Sequence, residues 1–181
     1  MGRYFGTDGF RGKAGDGLTA RHAYEIGRFL GWYYGRSQRA RIVVGKDTRR
    51  SSYMLEYALS AGITASGADV YLLHVTTTPS VSYVTRIDGF DCGVMISASH
   101  NPFEHNGIKI FNGQGFKLSD ELEGKIEEIL LNDIAVPLKT GGEIGRVIYA
   151  DEKESQDYID HLVSTIGSEL AGLHILVDCA N

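Results

Sequence analysis

The chain is poor in cysteine, with two in 181 residues, and that scarcity excludes a disulfide-stapled scaffold. Cys92 and Cys179 have no metal-ligand spacing. Each lies in an apolar, strand-like run, where a thiol acts as a small hydrophobe. A reducing, cytoplasmic setting is therefore expected. Basic residues are not in excess either: the net charge of −5 offers no general attraction to nucleic acid or anionic lipid. No apolar run is long enough to span a bilayer. The opening residues, Met1-Gly2-Arg3-Tyr4-Phe5-Gly6, lack the apolar core of a signal peptide, and Gly6 stands where a myristoylation pattern requires Ser or Thr. Neither nucleic acid nor membrane is expected as a partner. There is no internal repeat or low-complexity segment.

Several common catalytic patterns are missing too. Gly45-Lys46-Asp47-Thr48 lacks the upstream glycine and the spacing of a Walker A loop. The six histidines form no zinc pattern, and His100 and His105 are five apart in a loop rather than at ligand spacing on a helix. No Gly-x-Ser-x-Gly elbow surrounds Ser99, which is flanked by Ala98 and His100. Neighbours in an extended segment point to opposite sides. His100 is thus expected to face away from the Ser99 oxygen, which argues against a Ser-His-Asp hydrolase.

What is present is enough apolar material, 43% of residues, to build a real core. Apolar periodicity predicts helices over Thr19–Tyr34, with Thr19 as N-cap, over Ser52–Ala65, and from Pro79 to about Ile87. A further helix follows Ser119, carrying Leu122, Ile126, Ile129 and Leu130 on one stripe, and another spans Asp151–Ile166. Strands are predicted at Arg41–Gly45, Asp69–Val75, Gly93–Ser97 and Ile108–Phe111, with a short one at Gly145–Ala150. This alternation argues an α/β fold: three layers, with a mixed, largely parallel sheet flanked by helices. Residues 1–150 read as one domain. Residues 151–181 read as a linker helix followed by a buried strand, His174–Ala180, that opens a truncated second domain. An unpaired strand of that kind predicts a homodimer or self-association.

The chemistry concentrates in Ser97-Ala98-Ser99-His100-Asn101-Pro102, a polar loop that ends the run Gly93–Ile96 and precedes Lys109. Phosphoryl transfer needs an acceptor oxygen, cations to spread charge over the equatorial oxygens, and a proton-transfer group. Ser99 can supply the oxygen. Lys109, Arg11 and Arg49 can supply charge if their loops gather at the carboxyl edge of the sheet. Each has a plainer reading: a serine that only forms a turn, an Arg11 that only pairs with Asp8, and a Lys109 that faces solvent between Ile108 and Ile110.

Three separated strings tip this balance. Phe5-Gly6-Thr7-Asp8-Gly9-Phe10-Arg11-Gly12, Gly45-Lys46-Asp47-Thr48-Arg49, and Ser97–Pro102 continued through Asn106-Gly107-Ile108-Lys109 to Gly115-Phe116-Lys117-Leu118 occur in the order found in the α-D-phosphohexomutases. Thr76-Thr77-Thr78-Pro79 resembles a further turn of that family. The whole chain is similar to the family's first domain and the opening of its second, most closely in the phosphoglucosamine mutase branch.

The resemblance implies that Ser99 carries the phosphoryl group and that Lys109 is the general acid/base, with His100 assisting. It implies that Arg11 and Arg49 hold the serine loop and its charge, and it puts Thr7 and Asn101 among the phosphate-binding residues. Mg²⁺ is the implied cofactor, met by Ser99 only through its phosphate. The implied substrate is a phosphosugar, glucosamine 6-phosphate, isomerised to the 1-phosphate through a bisphosphate. Phosphomannomutase or phosphoglucomutase activity and a non-catalytic phosphosugar-binding module are the alternatives. The family's Asp-Gly-Asp-x-Asp-Arg metal loop and its sugar-choosing and distal phosphate loops belong to domains II–IV, which are missing here, so this chain alone is expected to be inactive.

Overall fold

The computed structural model describes residues 3–167 and 171–178. The elements are β1 (Phe5–Gly6), β2 (Gly9–Lys13), α1 (Ala20–Tyr34), β3 (Arg41–Lys46), α2 (Arg50–Ala65), β4 (Asp69–Val75), α3 (Thr78–Ile87), β5 (Cys92–Ile96), β6 (His105–Asn112), α4 (Asp120–Asn132), β7 (Val147–Tyr149) and α5 (Asp151–Ser164). One sheet runs β1-β2-β6-β5-β3-β4-β7. It is parallel from β5 through β3 and β4 to β7, and antiparallel from β5 through β6 and β2 to β1. The fold is therefore α/β with a mixed sheet. The antiparallel half comes from the hairpin β1–β2 and from the return of the chain through the serine loop into β6.

Strand alternation sorts the side chains into two cores. Ile42, Val44, Val94, Ile96, Ile108 and Ile110 face the layer of α1, α2 and α4, and pack with Ile26, Leu30, Leu55, Leu59, Ile63 and Ile126. Val43, Met95 and Phe111 face the other way, toward Val81 and Val84 of α3. Thr19 caps α1 in a reciprocal box with His22, and Ser119 caps α4. The helices α1 and α2 approach through glycine: a Cβ on Gly62 would lie 2.1 Å from the Tyr24 carbonyl oxygen. The N-terminal segment is tied to α4 by Glu127, whose carboxylate accepts the backbone N–H groups of Arg3, Tyr4 and Phe5 at 2.9, 2.7 and 2.6 Å.

α3, ten residues long, covers this second core, and the open space on the same face is a cleft at Thr78, Met95 and Lys109, beside the start of the helix. The linker helix α5 packs on the same side, with His161 stacked on Tyr83 at 4.3 Å between ring centroids.

Beyond α5, the run His174–Ala180 is described only as far as Asp178. His174–Asp178 has no regular structure, and Ile175, Leu176 and Val177 are exposed. An apolar run forms a strand only where an edge offers partners for its backbone, and no strand of the sheet pairs with this one among the described residues. Cys179, Ala180 and Asn181, the end of the run read as a strand, lie outside the described residues. Among the described residues no helix is long and apolar enough to cross a membrane.

Candidate functional site

β3 and β5 are parallel neighbours and end together, Lys46 opposite Ile96. The residues that follow each strand therefore meet above one edge of the sheet. After β5 the chain turns sharply: Ser99 has φ of +55°, a left-handed conformation that costs a non-glycine residue free energy unless its surroundings impose it.

The surroundings do so through the loop after β3. Asp47 Oδ2 accepts the Ser97 hydroxyl at 2.7 Å and Arg49 Nε at 2.9 Å, while Oδ1 accepts the Arg49 N–H at 3.1 Å and the Ser52 hydroxyl at 2.8 Å. Ser97 Oγ in turn accepts the Ser99 N–H at 3.0 Å. Arg49 is buried. Its Nη1 donates to the carbonyls of Pro102 and His105 at 2.7 and 3.1 Å, and its Nη2 to those of Ser99 and Asn101 at 2.7 and 2.8 Å. A guanidinium has five N–H donors, and each of these has a partner. Asn106, wholly buried, closes the base of the loop by donating to Ser51 and Ser52 and accepting the Gly107 N–H.

Above this frame is a cleft of 240 Å³ lined by Asp8, Arg11, Thr78, Met95, Ser97, Ser99 and Lys109. Lys109 lies opposite Met95 on the antiparallel pair β5–β6, on the face that α3 covers. Thr78 begins α3. Arg11 lies opposite Gly107; a Cβ on Gly107 would meet Arg11 Cγ at 3.1 Å and the Ser97 carbonyl oxygen at 2.6 Å, so glycine there lets the arginine and the serine loop approach. Arg11 is loosely engaged, 3.5 Å from Asn101 Oδ1 and 3.5 Å from Asp8, and its Nε has no hydrogen-bond partner. Among the described residues no carboxylate pairs with Lys109.

Ser99, Lys109 and Arg11 thus share one cleft, and Asn101 borders it through Arg11. Arg49 stands beneath the loop rather than in the cleft, with its donors taken up by carbonyls. Thr7 faces elsewhere, into a separate cavity with Lys117, Glu123 and Glu127. His100 differs from expectation: Ser99 Oγ lies 3.3 Å from its Nδ1. The segment is a left-handed turn rather than extended chain, and the turn brings the two neighbouring side chains to the same side. The geometric objection to a Ser–His pair fails for that reason, while the absence of the Gly-x-Ser-x-Gly elbow stands. Sequence reasoning missed Asp47, Ser97, Asp8 and Thr78 as members of the site. All four lay within the quoted strings, but nothing in the strings says that the Ser97 hydroxyl bridges Asp47 to the Ser99 N–H.

The two serines are chemically distinct. Ser97 Oγ donates to a carboxylate and accepts an amide, so it is committed to structure. Ser99 Oγ is exposed, with the His100 ring nitrogen as its neighbour. The described residues supply no cluster of three acidic, cysteine or histidine side chains suited to a metal ion.

Helices on both faces of a mixed sheet, with a polar cleft at the strand ends, make this an α/β/α domain. The chain belongs to the phosphoglucomutase/phosphomannomutase family, matching its alpha/beta/alpha domain I over residues 2–136. It is 57% identical over its whole length to the phosphoglucosamine mutase of Lachnoclostridium phytofermentans, and 52% identical to that of Lachnospira eligens. It spans about 40% of the length of these relatives. A solved phosphoglucomutase/phosphomannomutase family protein from Burkholderia thailandensis superposes with a TM-score of 0.75 at 25% identity, over 90% of this chain and 35% of the other.

Proposed function

We propose that the chain is the first domain of a cytoplasmic phosphoglucosamine mutase, with residues 1–150 forming that domain and residues 151–181 leading into the next. The observation that carries the reading is the shared cleft: a serine hydroxyl presented by a left-handed turn, with Arg11 and Lys109 lining the same 240 Å³. The high identity to two proteins named phosphoglucosamine mutase supports the choice of glucosamine 6-phosphate as substrate.

In this reading phosphorylated Ser99 gives its phosphoryl group to O1 of the sugar. The O1–P bond forms as the Oγ–P bond breaks, and the bisphosphate returns the group at O6 to Ser99. Lys109 exchanges the proton of the sugar oxygen, and His100, beside Oγ, serves the proton of the serine oxygen. Arg11 has capacity left for the equatorial phosphate oxygens. Phosphoserine would carry about −1.5 to −2 at neutral pH. Mg²⁺ would neutralise part of that charge, but hexacoordinate oxygen ligation is not available from one serine phosphate and these side chains. The residues here fit one ligand of such a site and no more.

The test is turnover of the full-length protein with Ser99→Ala, together with intact mass and peptide mapping of the parent. A phosphate on Ser99 and loss of isomerisation in the variant are expected, and undiminished turnover would overturn the assignment. The family's printed description favours a second reading, phosphoglucomutase or phosphomannomutase activity. Competition among glucosamine, glucose and mannose 6-phosphates decides between them. Binding without isomerisation of any of the three would mark a non-catalytic module. The 181-residue chain alone is expected to show no useful mutase activity.

A further inference from the structure

We infer that Asp47, acting through the Ser97 hydroxyl, is a positioning residue that fixes the direction in which Ser99 presents its oxygen. The inference rests on the reading of Ser99 as phosphoryl carrier.

A residue's φ and ψ are rotations of its two flanking peptide planes about Cα. Both planes at Ser99 are held from the same place. The preceding plane is held at the Ser99 N–H by Ser97 Oγ, 3.0 Å away, and the following plane at the Ser99 carbonyl by Arg49 Nη2, 2.7 Å away. Both anchors converge on one oxygen, Asp47 Oδ2, which accepts Ser97 Oγ at 2.7 Å and Arg49 Nε at 2.9 Å. The carboxylate can only accept. It therefore forces the Ser97 hydroxyl to donate toward Asp47 and leaves a lone pair for the Ser99 N–H. Without that polarity the hydroxyl is free to rotate and the amide loses its acceptor. The left-handed φ of +55° then has one anchor instead of two, and extended conformations that aim Oγ elsewhere become accessible. Asn at position 47 does not reproduce the arrangement. Four donors converge on the two carboxylate oxygens, and an amide turned either way presents its own N–H groups to two of them.

Asp47 touches neither substrate nor the reacting atoms in this scheme. Its effect is on the population of Ser99 conformers able to react, so it appears in kcat rather than in substrate binding.

The experiment compares Ser97→Ala, Ser97→Thr and Asp47→Asn with the parent and with Ser99→Ala, in the full-length protein turning over glucosamine 6-phosphate. Ser97→Ala and Asp47→Asn are expected to lower kcat roughly 10- to 100-fold with KM within about twofold, while Ser97→Thr, which keeps the hydroxyl, restores most of it. Amide exchange at Ser99 is expected to accelerate in Ser97→Ala and not in Ser97→Thr. Parental kcat in both Ser97→Ala and Asp47→Asn, alongside an inactive Ser99→Ala, overturns the positioning role and leaves the serine assignment standing. Equal losses in Ser97→Ala and Ser97→Thr also overturn it, since a hydroxyl-specific effect is required. An active Ser99→Ala removes the serine assignment and this inference with it. If Asp47→Asn does not fold, the alanine–threonine pair decides.

Discussion

Replacing Arg49 with alanine tests how the serine loop is held. The guanidinium is buried and serves five acceptors: the Asp47 carboxylate and the carbonyls of Ser99, Asn101, Pro102 and His105. Hydrogen bonds to a charged group contribute about 1.5–3 kcal/mol each when partners stay buried. All four of these carbonyls, however, belong to exposed or half-exposed residues that water can reach once the side chain is gone. The irreducible part is Asp47, left without its cation; its side chain is 22% exposed, so the cost falls below the ~3–5 kcal/mol of a fully buried pair. We expect a loss of about 2–3 kcal/mol, a fall in Tm of roughly 5–10 °C for a chain this size. Amide exchange is expected to accelerate at Ser99, Asn101 and His105, whose N–H groups bond within the loop region. Arg49→Lys should recover no more than about half of the stability, because an ammonium replaces the charge but not the planar fork. Urea denaturation and exchange mass spectrometry read both effects. A variant within about 1 kcal/mol of the parent, with the loop amides still protected, would show that the loop holds its shape without the clamp.

Three further outcomes follow from the scaffold. Burial works to raise the Glu127 carboxyl, but the N–H groups of Phe5, Tyr4 and Arg3 outweigh it and hold the group below the usual carboxylate range; its contribution is therefore complete above that range and lost as pH falls through the depressed folded value. Glu127→Gln should flatten the acid limb of a stability–pH curve measured by denaturant titration, and an unchanged slope would refute the clamp. Asp69 behaves with the same sign: burial raises it, and hydrogen bonds from Arg146 and Arg39 more than reverse that, so Arg146→Met should bring acid unfolding to a higher pH. Gly62→Ala should cost about 1–3 kcal/mol or more by overpacking, since the new Cβ meets backbone atoms of Tyr24 and Arg28 at 2.1 and 2.9 Å; a melting temperature equal to the parent's would mean that α1 and α2 separate at little cost.

Strong periodicity made much of this fold legible. The helices at Ala20–Tyr34 and Arg50–Ala65 and the strand at Asp69–Val75 carry apolar patterns that no other arrangement buries as well. The hairpin β1–β2 was not legible. Gly9–Lys13 holds one large apolar residue, Phe10, and its strand character comes from pairing with β6 rather than from its own composition. For the same reason β6 begins at His105, three residues before its apolar core. The C-terminal run is the opposite case: its composition says strand, and only a partner edge could make it one. At the site, the strings indicated which loops mattered. They could not indicate that a left-handed Ser99 turns His100 toward its own oxygen, because that depends on Asp47 and Arg49, fifty residues away.

The two arginines that the strings offered as equivalents turn out to do different work, and the difference follows from counting donors. Arg49 has no N–H left for a ligand, so a phosphate could recruit it only by releasing the carbonyls that shape the loop. Arg11 has two contacts at 3.5 Å and an unpartnered Nε, and it can turn to an anion without dismantling anything. The charge facing the cleft is then that of Arg11 and Lys109 against Asp8, a surplus of one cation. It falls short of matching a phosphate monoester, which carries about −1.5 to −2 at neutral pH whether it is on the serine or on the sugar, so in the proposed cycle the phosphorylated domain on its own is under-neutralised. That imbalance gives a physical reason for the proposed chemistry to require cationic groups beyond the ones this domain contributes.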